Sequence, residues 1–189
     1  MIAANEAYRF IYSQNLMGSK SSVHTKNDFR FKRAEEQANL PKPSIEDIIE
    51  YTNEFLEILN MKKTESPIVQ NPNPDSFNNP DIVWMKFTCD GHLGVVAVGD
   101  DINFDISPSE KAYNETNDGK PKSRKNDWKH NTSGIIVHHL GKKWDEKFIL
   151  VFPLLDISTD FSPRDIEAGI GNYLIDKGIP ILDYYSHKF

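Results

Sequence analysis

Two apolar runs close together dominate the hydrophobic pattern of this chain. Gly134-Ile-Ile-Val-His-His-Leu140 and Phe148-Ile-Leu-Val-Phe152 flank a charged segment that begins at Gly141. Their β-branched and aromatic content predicts two strands, Gly134–Leu140 and Lys147–Phe152, joined as a hairpin. The second run is almost continuously apolar, which predicts a strand covered on both faces in the middle of a sheet. The turn between them, Lys142, Lys143, Trp144, Asp145, Glu146 and Lys147, would be held rigidly at one edge of the fold.

Upstream, Ala3, Ala7, Phe10 and Ile11 recur at helical spacing and predict a first helix over Ala3–Met17, stopped by Gly18. Ser19–Arg33 is polar and basic and reads as a loop or a short helix. Ser44 follows Pro41 and Pro43 and reads as an N-cap with Asp47 at N3. From there Ile45, Ile48, Ile49, Thr52, Phe55, Leu56 and Leu59 trace a helical face to Asn60. Thr64–Pro80 is too rich in Pro and Asn for a helix or a central strand. Strands follow at Asp81–Asp90 and Leu93–Phe104. The small residues Gly94, Ala97 and Gly99 in the latter imply a bulge or a close approach.

Ser107–Thr132 is a long polar excursion before the hairpin. Ser162 as N-cap, Pro163 at N1 and Asp165 at N3 open a last helix buried through Ile166, Ile170, Tyr173 and Leu174. Gly169 and Gly171 inside it imply tight packing. Ile179–Tyr185 returns as a final strand. The expectation is an α+β fold: two N-terminal helices, an antiparallel or mixed sheet of about five strands, and one C-terminal helix packed on the sheet. A single domain over 1–189 is expected, with 64–80 as the point of division if a helical part, 1–63, and a sheet-rich part, 81–189, were separate.

Composition narrows the class. With 38% hydrophobic and 26% charged residues the chain has enough apolar surface for a core and is not of the disordered kind. A net charge of -6 means its surface as a whole does not coat nucleic acid or an anionic membrane. The one cysteine, Cys89, allows no intrachain disulfide and no thiolate zinc cluster, and it favours a reducing compartment. The first ten residues lack the pattern of a signal peptide, and no apolar run reaches the ~20 residues of a membrane helix. A cytoplasmic location is the expectation.

Charge is unevenly spread. Between Asp118 and Lys147 lie eight basic residues against four acids, in a chain that is acidic overall. Lys120, Arg124, Lys125, Lys142 and Lys143, interleaved with Trp128 and Trp144, form a candidate binding patch. Cations neutralise phosphates and indole faces stack on unpaired bases. The alternative is a solvated loop whose tryptophans cover the core.

A metal-dependent nuclease of the restriction-enzyme type needs an acid followed by an acid-x-Lys pattern. Asp145-Glu146-Lys147 offers the second and Asp127, Asp101 or Asp81 the first; Asp127 and Asp145 are the candidate Mg²⁺ ligands and Lys147 a candidate catalytic residue. The pattern is short and lies at a turn, where such enzymes carry it on a strand. His138 and His139, adjacent on a strand, would point to opposite faces, and His139 is a candidate acid–base group. Asp183, Tyr185 and His187 would share a face of the last strand, with Ser186 on the other. Two function classes follow. One is a non-catalytic protein-binding or inhibitory module. The other is a phosphodiester-acting enzyme that binds nucleic acid and metal through the 118–147 region.

Overall fold

Ile82–Phe87 has no solvent-facing side. All six side chains are buried, Lys86 among them. Such a strand needs cover on both faces, and the rest of the chain provides it. In the computed structural model, which describes residues 2–12, 29–72, 81–99, 128–157 and 160–183, this strand is β2 of a four-stranded sheet. The helices are α1 (Ile2–Ile11), α2 (Phe29–Ala38), α3 (Ile45–Ile58), α4 (Trp128–His139) and α5 (Pro163–Asp176). The strands are β1 (Ile68–Gln70), β2, β3 (Leu93–Gly99) and β4 (Phe148–Pro153). The sheet order is β1-β4-β2-β3 and every pairing is antiparallel. This is an α+β fold, with four strands among the described residues.

The pleat sends alternate residues of each strand to opposite faces. Val83, Met85 and Phe87 of β2, with Leu150 and Phe152 of β4, meet the apolar sides of α1, α3 and α5 in the main core. Ile82 and Trp84, with Ile149 and Val151, face a second layer that includes Val137 of α4 and Trp144. Behind α4 lies α2, joined to it through Phe31, Ala34 and Ile136. The first layer is locked by polar contacts as well. Asn172 donates to the Phe10 carbonyl at 2.6 Å, and Lys177 reaches Glu54 at 2.9 Å while lying over the rings of Tyr51 and Tyr173.

Local chemistry explains the helix starts. Ser44 accepts from the Asp47 backbone N–H, and Ser162 and Asp165 form a reciprocal capping box with Pro163 in the first turn. β4 lies inside the sheet, as its unbroken apolar run implies.

Four expectations change. Gly134–Leu140 is the C-terminal part of helix α4 and its end, not a strand, so the segment after it links a helix to a strand rather than closing a hairpin. A third helix, α2, stands between the two N-terminal ones that the sequence pattern predicts. The Pro/Asn-rich stretch contributes β1, a three-residue edge strand paired with β4. Of the expected last strand, Ile179–Tyr185, the described residues 179–183 make a single parallel bridge, Ile181 to Leu93, and the remainder lies outside the described residues.

Two glycines show how close the layers come. Gly94 is the extra residue where the β2–β3 register slips: Lys86 pairs with Val95 and Phe87 with Leu93. A Cβ at Gly94 would overlap the ring of Trp144, and one at Gly169 would overlap Phe55 and Ile11. Ala in a helix is normally favoured over Gly by about 1 kcal/mol. At Gly169 the overlap should win, because overpacking a core costs about 1–3 kcal/mol. Gly169→Ala and Gly94→Ala are each expected to lower the urea midpoint of unfolding. A raised midpoint for either would mean that the facing ring has room to move.

Candidate functional site

The 142–147 connection owes its shape to the way α4 ends. Gly141, at φ +66, follows the last helical turn. Its N–H donates to the His138 carbonyl at 2.9 Å, and the Lys142 N–H donates to that of Val137 at 3.0 Å. This is a Schellman ending, which needs glycine at the left-handed position. The chain then pairs with the end of β2. Cys89 N–H donates to the Lys143 carbonyl and Asp145 N–H to that of Phe87, both at 2.8 Å, around a Thr88–Trp144 bridge. Trp144 is buried, with its ring against the bulge at Gly94.

Charged side chains fasten the same segment. Lys86 is 1% exposed, and its Nζ lies 3.2 Å from both carboxylate oxygens of Glu146, whose side chain is 62% exposed. The ammonium also lies 5.5 Å from the Trp144 ring centroid, within cation–π range. Lys142 donates to Asp90 at 2.6 Å, and Thr88 donates to the other oxygen of Asp90 at 2.6 Å. His92, buried beside them, has Nε2 3.2 Å from the Ala38 carbonyl. A carbonyl only accepts, so Nε2 carries the proton. Nδ1 faces both Asp90 at 3.3 Å and Lys142 at 3.4 Å. A neutral ring accepts there from Lys142, and a protonated ring donates to Asp90. With Nε2 engaged by backbone, His92 joins α2 to the β2–β3 turn.

A pocket of about 280 Å³ opens beside this network. Gly134, Val137 and His138 of α4 form one wall, and Lys142, Lys143, Trp144 and Glu146 form the other. Ser133, one residue before Gly134 on α4, donates to the buried carboxylate of Asp183 at 2.5 Å and fixes the helix to the C-terminal segment.

The candidate residues divide accordingly. Lys142, Lys143 and Trp144 come together at the pocket, but Trp144 is a core residue and not an exposed anchor. Asp145 turns onto its own backbone and accepts from the Lys147 N–H two residues ahead at 2.8 Å, while the Lys147 side chain is exposed. His139 lies apart from the pocket, 2.7 Å from Glu35 and edge-on to Phe31, because the helix turns it toward α2. His138 and His139 therefore diverge by one helical step, not by the pleat of a strand. Trp128 is the first residue of α4. Lys120, Arg124, Lys125 and Asp127 lie outside the described residues, as do Tyr185, Ser186 and His187.

Among the described residues no three His, Cys, Asp or Glu side chains converge as a metal site, and no helix is long and apolar enough to cross a membrane. Sequence reasoning missed Lys86 and Asp90. Lys86 carried a signal, a lone cation inside an apolar strand. No family model, curated protein or solved structure matches this chain.

Partial burial would raise the Asp90 pKa, but hydrogen bonds from Lys142, Thr88 and His92 outweigh it and hold the carboxyl well below its ordinary 3.8. A depressed carboxyl stabilises the fold above its unfolded value, and that contribution fades as pH falls through the folded one. Asp90→Asn is therefore expected to lower the thermal midpoint at pH 7. The gap from the parent should persist to about pH 5 and begin to narrow as pH drops below 3.8. Melting curves at pH 7, 5 and 3 check this, and a gap independent of pH would contradict it.

Proposed function

We propose that this chain is a protein-binding module whose binding face is the 142–147 connection and the pocket beside it. One observation carries the reading. The ion pairs of this segment, Lys86 with Glu146 and Lys142 with Asp90, fix its backbone from within, while Lys143 and His138 stay exposed at the pocket mouth. A loop held rigid by its scaffold loses little entropy on binding, and such loops are where recognition residues are usually carried. The acids of the acid-x-Lys pattern support the same reading, because Asp145 and Glu146 serve as acceptors for the protein's own groups.

The test is site-specific photo-crosslinking in the cells that make the protein. A crosslinking residue at position 143 should yield a discrete protein adduct that His138→Glu suppresses. The same residue at position 62, an exposed lysine beyond α3, should not yield that adduct. No adduct from 143, or the same adduct from both positions, would overturn the reading. Titration with DNA and RNA in the presence of Mg²⁺ addresses the phosphodiester-acting alternative. Salt-sensitive binding with metal-dependent cleavage, lost in Asp145→Ala, would put that alternative in its place.

A further inference from the structure

We infer that the pocket between α4 and the 142–147 connection is a carboxylate receptor, in which an acidic side chain of a partner polypeptide displaces Glu146 from Lys86; this rests on the protein-binding reading above. Lys86 holds its ammonium inside the sheet's second layer, and the carboxylate that straddles it belongs to an exposed side chain. Glu146 also lines the pocket. The buried cation thus sits behind an acid that can turn out into water, and the segment then remains held by Lys142 on Asp90 and by its backbone bonds, Cys89 N–H to the Lys143 carbonyl and Asp145 N–H to that of Phe87.

An incoming carboxylate would meet the same ammonium at the same place. It would gain Lys143 at the mouth and the apolar surfaces of Val137 and Trp144, which line the same pocket. Released into water, Glu146 recovers full hydration, so the exchange trades one charge-assisted contact for another with added surface buried. Lys142 is held by Asp90 at 2.6 Å and remains a fixed positive wall throughout. At about 280 Å³ the pocket has room for a carboxylate side chain. The geometry of the resident pair, with both oxygens equidistant from one ammonium, is that of a planar carboxylate.

The test follows the Trp144 indole N–H resonance, assigned with Trp144→Phe, during titration with acetyl-triglutamate amide, acetyl-triglutamine amide and inorganic phosphate. The triglutamate peptide should shift it saturably with a Kd on the order of 1 mM, as suits a contact through one side chain. The triglutamine peptide should not. Lys143→Ala should weaken binding roughly tenfold, the loss of one charge-assisted contact. Glu146→Gln should tighten it severalfold by removing the internal competitor, and Lys86→Met, which keeps the stem, should abolish it. Circular dichroism establishes that each variant is folded, and exposed Lys143 leaves a usable variant if Glu146→Gln is not. No saturable shift, equal shifts with both peptides, binding of phosphate alone, or weaker binding in folded Glu146→Gln would each overturn the proposal. The crosslink from position 143 separates the two levels. If it persists while triglutamate fails to bind, the ligand class falls and the protein-binding reading stands. If triglutamate binds and no crosslink forms, the pocket takes a carboxylate, but the protein-binding reading falls and with it the partner polypeptide as the source of that carboxylate.

Discussion

A lysine on a strand with no open face is the constraint around which this half of the molecule is built. β2 is covered on both sides, so the charge of Lys86 is enclosed with Trp84 and Ile82 in the layer under α4. An ammonium taken out of water needs an opposite charge and a polarisable surface close by. Glu146 provides the first and the Trp144 ring the second. Both come from the same short connection, so the electrostatic demand of one strand residue fixes where the chain runs between α4 and β4. The backbone bonds to Phe87 and Cys89 then make that path continuous with the sheet.

The bulge at Gly94 belongs to the same arrangement. A strand residue with a side chain there would leave no room for the Trp144 ring, and without that ring Lys86 would lose its cover. The second ion pair, Lys142 with Asp90, fastens the same connection to the β2–β3 turn, and His92 carries the link on to α2 through the Ala38 carbonyl. Three elements far apart in the chain therefore converge on one short segment. The pocket beside it is a consequence, because α4 ends at Gly141 and the chain must turn away from the helix before it can pair with β2. The proposed binding face is thus a by-product of how the interior charge is satisfied.

Much of the fold was legible because the signals are local. Ser44 and Ser162 announce their helices through bonds made within three residues, and the unbroken run Phe148–Phe152 announces an interior strand. Helix α4 was not legible in the same way. Ile135-Ile136-Val137 is a β-branched run, and the helix has no clean polar side to set its period: Ile136 faces α2 while Val137 faces the sheet. The one local clue was Gly141, whose placement after two histidines fits a helix C-terminus as well as a hairpin turn. β1 was hidden by the prolines around it, which an edge strand tolerates. The candidate site was legible only in part. The basic connection stands out in composition, but Lys86 and Glu146 are sixty residues apart, and nothing local ties a lone cation in one strand to an acid beyond the next helix.

Lys86 and Glu146 depend on each other for the shape of the connection. A double-mutant cycle of Lys86→Met, Glu146→Ala and the combined variant, followed by urea unfolding at neutral pH, measures that dependence. The expected coupling is about 1 kcal/mol or more, with Glu146→Ala alone costing more than the double substitution because it leaves the enclosed ammonium without its carboxylate. Additive single effects, with a coupling indistinguishable from zero, would show that the connection is held by its backbone bonds and by Trp144 alone.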